Sequence, residues 1–229
     1  MRPRYEIVVR GNNLRLKDDF LGMSNVTLIE CAAGWLLFDT GGYIARLGLI
    51  KALKARGLSP KDIKYVFLSH LHFDHSHNID LFAHARIFLS RAEWDYAENP
   101  HADDLLMPWG IRELLSKTDL VLLEGEGELF DFVHYFPAPG HTPGCYALRL
   151  ETADRGTVII AGDAIKYAKE AILRACDMAF DTLEAGTRSI ERILSEGDRI
   201  VPGHFPELVR LPGGQFSWEE SAPFELLVR

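Results

Sequence analysis

His70, His72, Asp74 and His75 fall within six residues of one another. They follow residues 64–68, a short continuous apolar run of the kind that forms a fully buried strand. Imidazole and carboxylate are ligands that suit borderline divalent ions such as Zn²⁺. A loop leaving a strand end can turn neighbouring side chains inward together, which a regular strand or helix cannot do. Three more ligand-type residues stand where apolar runs stop abruptly: His141 after residues 136–140, Asp163 after 158–162, and His204 after 200–203. Gly and Pro beside them fix sharp turns, so each side chain can be held at a sheet edge. Taken singly, each of the three reads as a turn residue; taken with the cluster, they complete a ligand set for two ions.

The elements that must position these residues alternate in type. Residues 5–9, 25–30 and 35–39 read as strands, the last two as an antiparallel hairpin through Cys31, Ala32, Ala33 and Gly34. Residues 44–55 read as an amphipathic helix with Ile44, Leu47, Gly48, Ile50, Leu53 and Lys54 on one face, closed by Gly57. A strand over 86–89 precedes a helix over 91–97, with Ser90 as N-cap and Glu93 at the third position. One or two short helices are expected within 99–118. Strands follow over 120–123, 133–136, 146–150, 157–160 and 199–201. A second amphipathic helix covers 182–194, with Leu183, Ile190 and Ile193 on one side and Asp181 as its N-cap. No repeat or low-complexity linker divides the chain, so residues 1–229 are expected to form one α/β domain with mixed sheets.

Composition narrows the function classes. The 229 residues carry 25 Lys and Arg against 33 Asp and Glu, a net charge of −8. That balance argues against a general binder of nucleic acid or anionic membrane, which needs clustered cations. Cys31, Cys145 and Cys176 form no CxxC pair and read as small buried thiols. The N-terminal residues lack a signal-peptide core, and no apolar run approaches a membrane span, so a cytoplasmic protein acting on a small molecule is expected.

Five blocks in order now become recognisable: Phe38-Asp39-Thr40-Gly41, His70-Leu71-His72-Phe73-Asp74-His75, Pro139-Gly140-His141-Thr142-Pro143-Gly144, Ala161-Gly162-Asp163 and Pro202-Gly203-His204. The chain resembles the metallo-β-lactamase-fold hydrolase superfamily over nearly its whole length. The resemblance implies an αββα sandwich, two mixed β-sheets flanked by helices, with the metals at one edge. It implies that His70, His72 and His141 hold one ion, that Asp74, His75 and His204 hold the other, and that Asp163 bridges them. Zn²⁺ is the default, with Fe and Mn as alternatives. It further implies that Asp39 braces the metal loop. Such a centre carries a bridging hydroxide for attack on a carbonyl, and Asp74 could accept its proton and pass it to the leaving group.

Among the superfamily's chemistries, the sequence favours a carboxylic ester or lactone, as in the N-acyl-homoserine lactonases. The His70–His75 motif resembles theirs, including its Phe. Those enzymes place a Tyr three residues after the bridging Asp; here Lys166 stands there and Tyr167 follows, so either is a candidate substrate donor. True β-lactamases lack the bridging Asp and are usually exported. Alternatives are a glyoxalase II-type thioesterase and a mononuclear-iron persulfide dioxygenase. Both resemble glutathione-binding proteins, and only Arg210 and Arg229 supply basic charge after His204. A non-catalytic metal-binding protein is the remaining class. The aromatic and apolar residues of 91–118 read as core or as a contact in a homodimer, or else as a wall over the metal site.

Overall fold

In the strand Gly34–Phe38, Leu36 and Phe38 face one way and Leu37 the other, as the two-residue period of a strand requires. Both directions are buried, so this strand lies inside the protein with a packed layer on each side. The computed structural model describes residues 1–218; Arg229 lies outside them.

The first sheet comprises β1 (Arg4–Val9), β2 (Val26–Cys31), β3 (Gly34–Phe38), β4 (Ile63–Phe67), β5 (Arg86–Ser90) and β6 (Asp119–Leu123), side by side in that order. β1, β2 and β3 pair antiparallel, and β3 to β6 run parallel. Parallel neighbours need long crossovers. These carry α1 (Arg46–Ala55), α2 (Phe73–Ser76), α3 (Arg91–Tyr96) and α4 (Ile111–Leu115). The second sheet comprises β7 (Gly127–Phe130), β8 (Val133–Pro137), β9 (Tyr146–Glu151), β10 (Thr157–Gly162), β11 (Arg199–Pro202), β12 (Leu208–Arg210) and β13 (Phe216–Trp218), also neighbours in chain order. Only β10 and β11 are parallel there, joined through α5 (Ala168–Leu173) and α6 (Leu183–Glu196).

Three apolar layers follow. Phe38, Phe67, Leu148 and Ile160 fill the space between the sheets. Leu37, Leu49, Leu53 and Ile87 join the first sheet to its outer helices. Ile159, Ile190, Ile193 and Ile200 join the second sheet to α5 and α6. This is the expected αββα sandwich of two mixed sheets flanked by helices.

Two local expectations are corrected. The buried residues of α1 are Leu49 and the expected Leu53, in line with Ala45 at its N-cap, whereas Ile44 and Leu47 are 64% and 81% exposed. The cap of α6 is Thr182, whose hydroxyl accepts from Ala185 N, and not Asp181; Leu183 faces solvent. Of the cysteines, Cys31 and Cys145 are buried and Cys176 is partly exposed. Among the described residues, no helix is long and apolar enough to cross a membrane.

Candidate metal centre

The loop after β4 carries His70 to His75 and is clamped by one carboxylate. Asp39 accepts from Ser69 N and Ser69 Oγ, both at 2.8 Å, and lies 2.7 Å from His75 Nδ1. It therefore ties the start of the loop to its end. Asp39 stands at φ +59°, a left-handed conformation that Asp tolerates better than most residues because its short side chain bonds locally. The one-turn helix α2 then sets Asp74 and His75 on the inner side, where both are buried.

The other three residues come from the second sheet. His141 follows β8, where Gly140 at φ +138° passes so close to α6 that a Cβ on it would lie 2.2 Å from Gly186 Cα. Asp163 follows β10 directly, and Gly203 leaves room for it: a Cβ there would fall 1.8 Å from Asp163 Oδ1. His204 follows β11; its N–H donates to Lys166 O and its Nδ1 lies 2.9 Å from Met23 O.

All seven expected residues meet at this one sheet edge. The ligand atoms of His70, His72 and His141 lie within 4.8 Å of one another, as do those of Asp74, His75 and His204. Asp163 stands between the groups. Its Oδ2 is 3.3 Å from His141 Nε2, and its Oδ1 is 3.2 Å from His75 Nε2 and 3.4 Å from His204 Nε2. Burial pushes His70 and His141 well below the ordinary imidazole value, leaving them in the neutral form that ligates. Burial alone would also lower His75 and His204, but the nearby carboxylates, Asp163 first, outweigh it and hold both above that value. Burial would raise Asp163, yet His204 and His75 hold it well below the carboxylate range. Burial prevails at Asp39 and raises it.

The donor set fits two divalent ions. His70 Nε2, His75 Nε2 and Asp163 Oδ1 are buried without a hydrogen-bond partner, and such orphans are rare in folded proteins. These three residues form a third group of their own within 4.8 Å, which links the other two. Nitrogen and carboxylate oxygen are also the ligands that Zn²⁺, Fe²⁺ and Mn²⁺ accept.

A cavity of about 430 Å³ opens above the cluster, with His72, Asp74, His141, Asp163 and His204 in its lining. Its walls are mainly apolar, from Phe20, Phe73, Leu105, Leu106, Met178 and Phe180, with Asn13, Arg15 and Asp103 also in the lining. Lys166 and Tyr167 line it too, and both are held by acidic neighbours. Lys166 Nζ is 2.5 Å from Glu170 Oε1 and 3.5 Å from Asp177 Oδ1. Tyr167 Oη donates to Asp177 Oδ2 at 2.6 Å. Burial would lower Lys166, but Glu170 and Asp163 outweigh it and keep the ammonium charged; burial together with Asp177 pushes Tyr167 up to about 12.

Sequence reasoning passed over three buried carboxylates, Glu170 beside Lys166 and two beside the histidines. Glu93, read only as a helix-start residue, accepts from Leu71 N at 2.9 Å and from Thr142 Oγ1 at 2.6 Å. It thereby braces the residue between His70 and His72 and the residue after His141. Asp104, in the loop between α3 and α4, lies 3.1 Å from His72 Nε2. Of these last two, only Glu93 carried a local signal, its capping position. The 91–118 segment divides its roles: Ile111 and Leu115 are core, Leu105 and Leu106 are wall, and Trp109 is fully exposed.

Gly144 makes this bracing testable. A Cβ on it would lie 2.0 Å from Glu93 N, against backbone that cannot swing aside. Gly144→Ala is expected to push the His141 loop off α3 and lower metal content, with destabilisation of about 1–3 kcal/mol from overpacking. Elemental analysis and thermal melting check both effects; an unchanged melt would show that the loop yields freely.

The sequence signature of the metallo-β-lactamase superfamily matches residues 19–204. Metallo-β-lactamase domain-containing protein 1 of Xenopus laevis is 29% identical over 204 residues, which is 89% of this chain and 80% of that protein. An N-acyl homoserine lactonase of a Bacillus species is 32% identical over 160 residues, 68% of this chain; the chain spans 61% of that lactonase's length. Among solved structures, an N-acyl homoserine lactone hydrolase with N-hexanoyl-L-homoserine at its catalytic metal centre superimposes with a TM-score of 0.72 at 22% identity, covering 89% of this chain and 93% of that one.

Proposed function

The chain belongs to the metallo-β-lactamase superfamily, and from that premise we propose that it is a hydrolase of carboxylic esters, lactones above all, with two divalent ions as its cofactor. In this reading His70, His72 and His141 hold one ion, Asp74, His75 and His204 the other, and Asp163 both. Such a pair supplies an activated water and a Lewis acid for the carbonyl oxygen. The chain's own groups do the rest. Asp74 takes the proton released as water adds to the acyl carbon and returns it to the alkoxide as the acyl C–O bond breaks. Lys166, permanently charged at the cavity edge, favours negative charge building on the carbonyl oxygen. Tyr167, once its hydroxyl turns away from Asp177, donates to the leaving-group oxygen. The apolar walls shed water from the reacting ester.

The observation that carries this reading is the seven-residue cluster at the floor of an apolar-walled cavity. Such largely apolar walls suit an uncharged carbonyl compound. The Bacillus lactonase supports the lactone in particular.

The test is a panel of lactones, linear esters, phosphodiesters and a glutathione thioester, run on protein supplemented in turn with Zn²⁺, Mn²⁺ and Fe²⁺. Lactones and carboxylic esters are expected to turn over fastest. Faster cleavage of a phosphodiester or thioester than of every ester sinks the reading. Combined Lys166→Ala and Tyr167→Phe substitution is expected to lower kcat/KM on the best ester by about 10²- to 10³-fold, as loss of an oxyanion donor does, with metal content unchanged. Full activity in that variant removes both residues from the mechanism.

A further inference from the structure

Four of the five cluster histidines turn Nε2 inward. His70, His75 and His204 each present Nδ1 to the surrounding chain, at 3.0 Å from Ser69 Oγ, 2.7 Å from Asp39 Oδ2 and 2.9 Å from Met23 O. His141 faces Asp163 through Nε2. His72 is reversed: its Nδ1 faces the cluster, 3.0 Å from His141 Nε2, and its Nε2 faces Asp104 Oδ2 at 3.1 Å.

We propose that Asp104 is the positioning residue that sets this reversed orientation, by holding the His72 proton on Nε2 so that Nδ1 is left bare for the ion. The inference rests on the reading of His70, His72 and His141 as one ion's ligands. A neutral imidazole has one N–H and one lone pair, and the partner of the first decides where the second points. A carboxylate in that position also makes the ring a stronger ligand. Asp104 is built for the task. Its side chain is fully buried, Oδ1 accepts from Leu106 N at 3.0 Å, and Oδ2 also accepts from Tyr96 Oη at 2.7 Å.

The same contact ties the ion site to the cavity wall. Phe73 N donates to Leu106 O at 3.0 Å, so residues 104–106 are laced to 72–73 at two points, and Leu105 and Leu106 face the cavity. The strip that orients the ligand is the strip that shapes the wall.

The experiment uses zinc-supplemented protein, with histidine nitrogens observed by long-range ¹H–¹⁵N correlation and ion affinity measured by chelator competition. In the native protein, His72 is expected to carry a slowly exchanging Nε2–H and a zinc-bound Nδ1, while His70, His75 and His204 show the opposite assignment. Asp104→Asn is expected to weaken one of the two zinc ions by about 10- to 100-fold, to spare the other, and to speed exchange of the His72 proton. Tyr96→Phe keeps the carboxylate and should preserve the His72 assignment. Native protein that takes up fewer than two zinc ions overturns the ligand reading itself. Two zinc ions with unchanged affinity and exchange in Asp104→Asn overturn the role of Asp104 alone. If Asp104→Asn does not fold, the native spectrum decides: a zinc-bound Nε2 on His72, or a freely exchanging proton, refutes the proposal.

Discussion

Asp163→Ala is expected to strip the centre of ions and lower kcat/KM by far more than the roughly 10- to 100-fold typical of a supporting residue. The reason is its place. One oxygen lies 3.3 Å from His141 and the other 3.2 Å and 3.4 Å from His75 and His204, so a single side chain serves both groups. Removing it leaves the histidines without the carboxylate between them. The informative comparison is Asp39→Asn. Asparagine tolerates the left-handed backbone at this position, whereas alanine would add about 1–2 kcal/mol of strain and confuse the outcome. It keeps one oxygen for Ser69 and loses the charge opposite His75. Its effect should stay within the 10- to 100-fold range. Elemental analysis beside ester turnover separates the two. Equal losses, or an intact ion pair in Asp163→Ala, contradict the bridging assignment.

Removing the ions should also lower thermal stability by on the order of 10 °C. Ions that bind the folded chain and not the unfolded one contribute about 4 kcal/mol when free ion exceeds Kd a thousandfold. For a chain of this size each kcal/mol moves Tm by about 2–4 °C. The structure supplies the local cause in the unpaired His70 Nε2, His75 Nε2 and Asp163 Oδ1. Melting after chelation and dialysis, then after return of Zn²⁺, Mn²⁺ or Fe²⁺, measures the shift and ranks the ions. The sign with pH is fixed. His75 and His204 are held above the ordinary imidazole value, so an ion must displace their protons. The ion-dependent rise in Tm should therefore grow between about pH 6 and pH 8. A melt indifferent to ions at both pH values would count against any tightly held metal.

The seven ligand-type residues were legible because each stands where an apolar strand stops and Gly, Pro or a polar residue takes over. Alternating strand and helix periods made an α/β domain with mixed sheets legible, whereas the αββα layering was implied by the resemblance of the five motif blocks. Other features depend on contacts that cross the chain. Asp104 sits in a mixed loop with no local pattern, and only its approach to His72 gives it meaning. Glu93 looked like a cap because its second task involves Thr142, 49 residues away. Lys166 and Tyr167 were singled out for their place after Asp163; Glu170 is a local partner four residues after Lys166, but nothing local revealed that Asp177 reaches both. On α1 Leu53 was placed rightly, but Ile44 and Leu47 were read onto the buried face in place of Leu49, because they are as apolar and packing alone distinguishes them. Strands β7, β12 and β13 are three or four residues long, too short for alternation to register.

Every strand of the first sheet precedes every strand of the second, and the chain passes between them once, from Leu123 to Gly127. The centre is therefore divided in time as well as in space. A growing chain presents His70, His72, Asp74 and His75 early, but neither group of three is complete among them. The first closes when His141 is added, Asp163 comes next, and His204 closes the second last of all. A single domain generally folds as a unit, so the two sheets must come together before either group exists. Neither group of three is available to a chain that has made only its first sheet, and a complete two-ion centre would be reserved for one whose second sheet is almost finished.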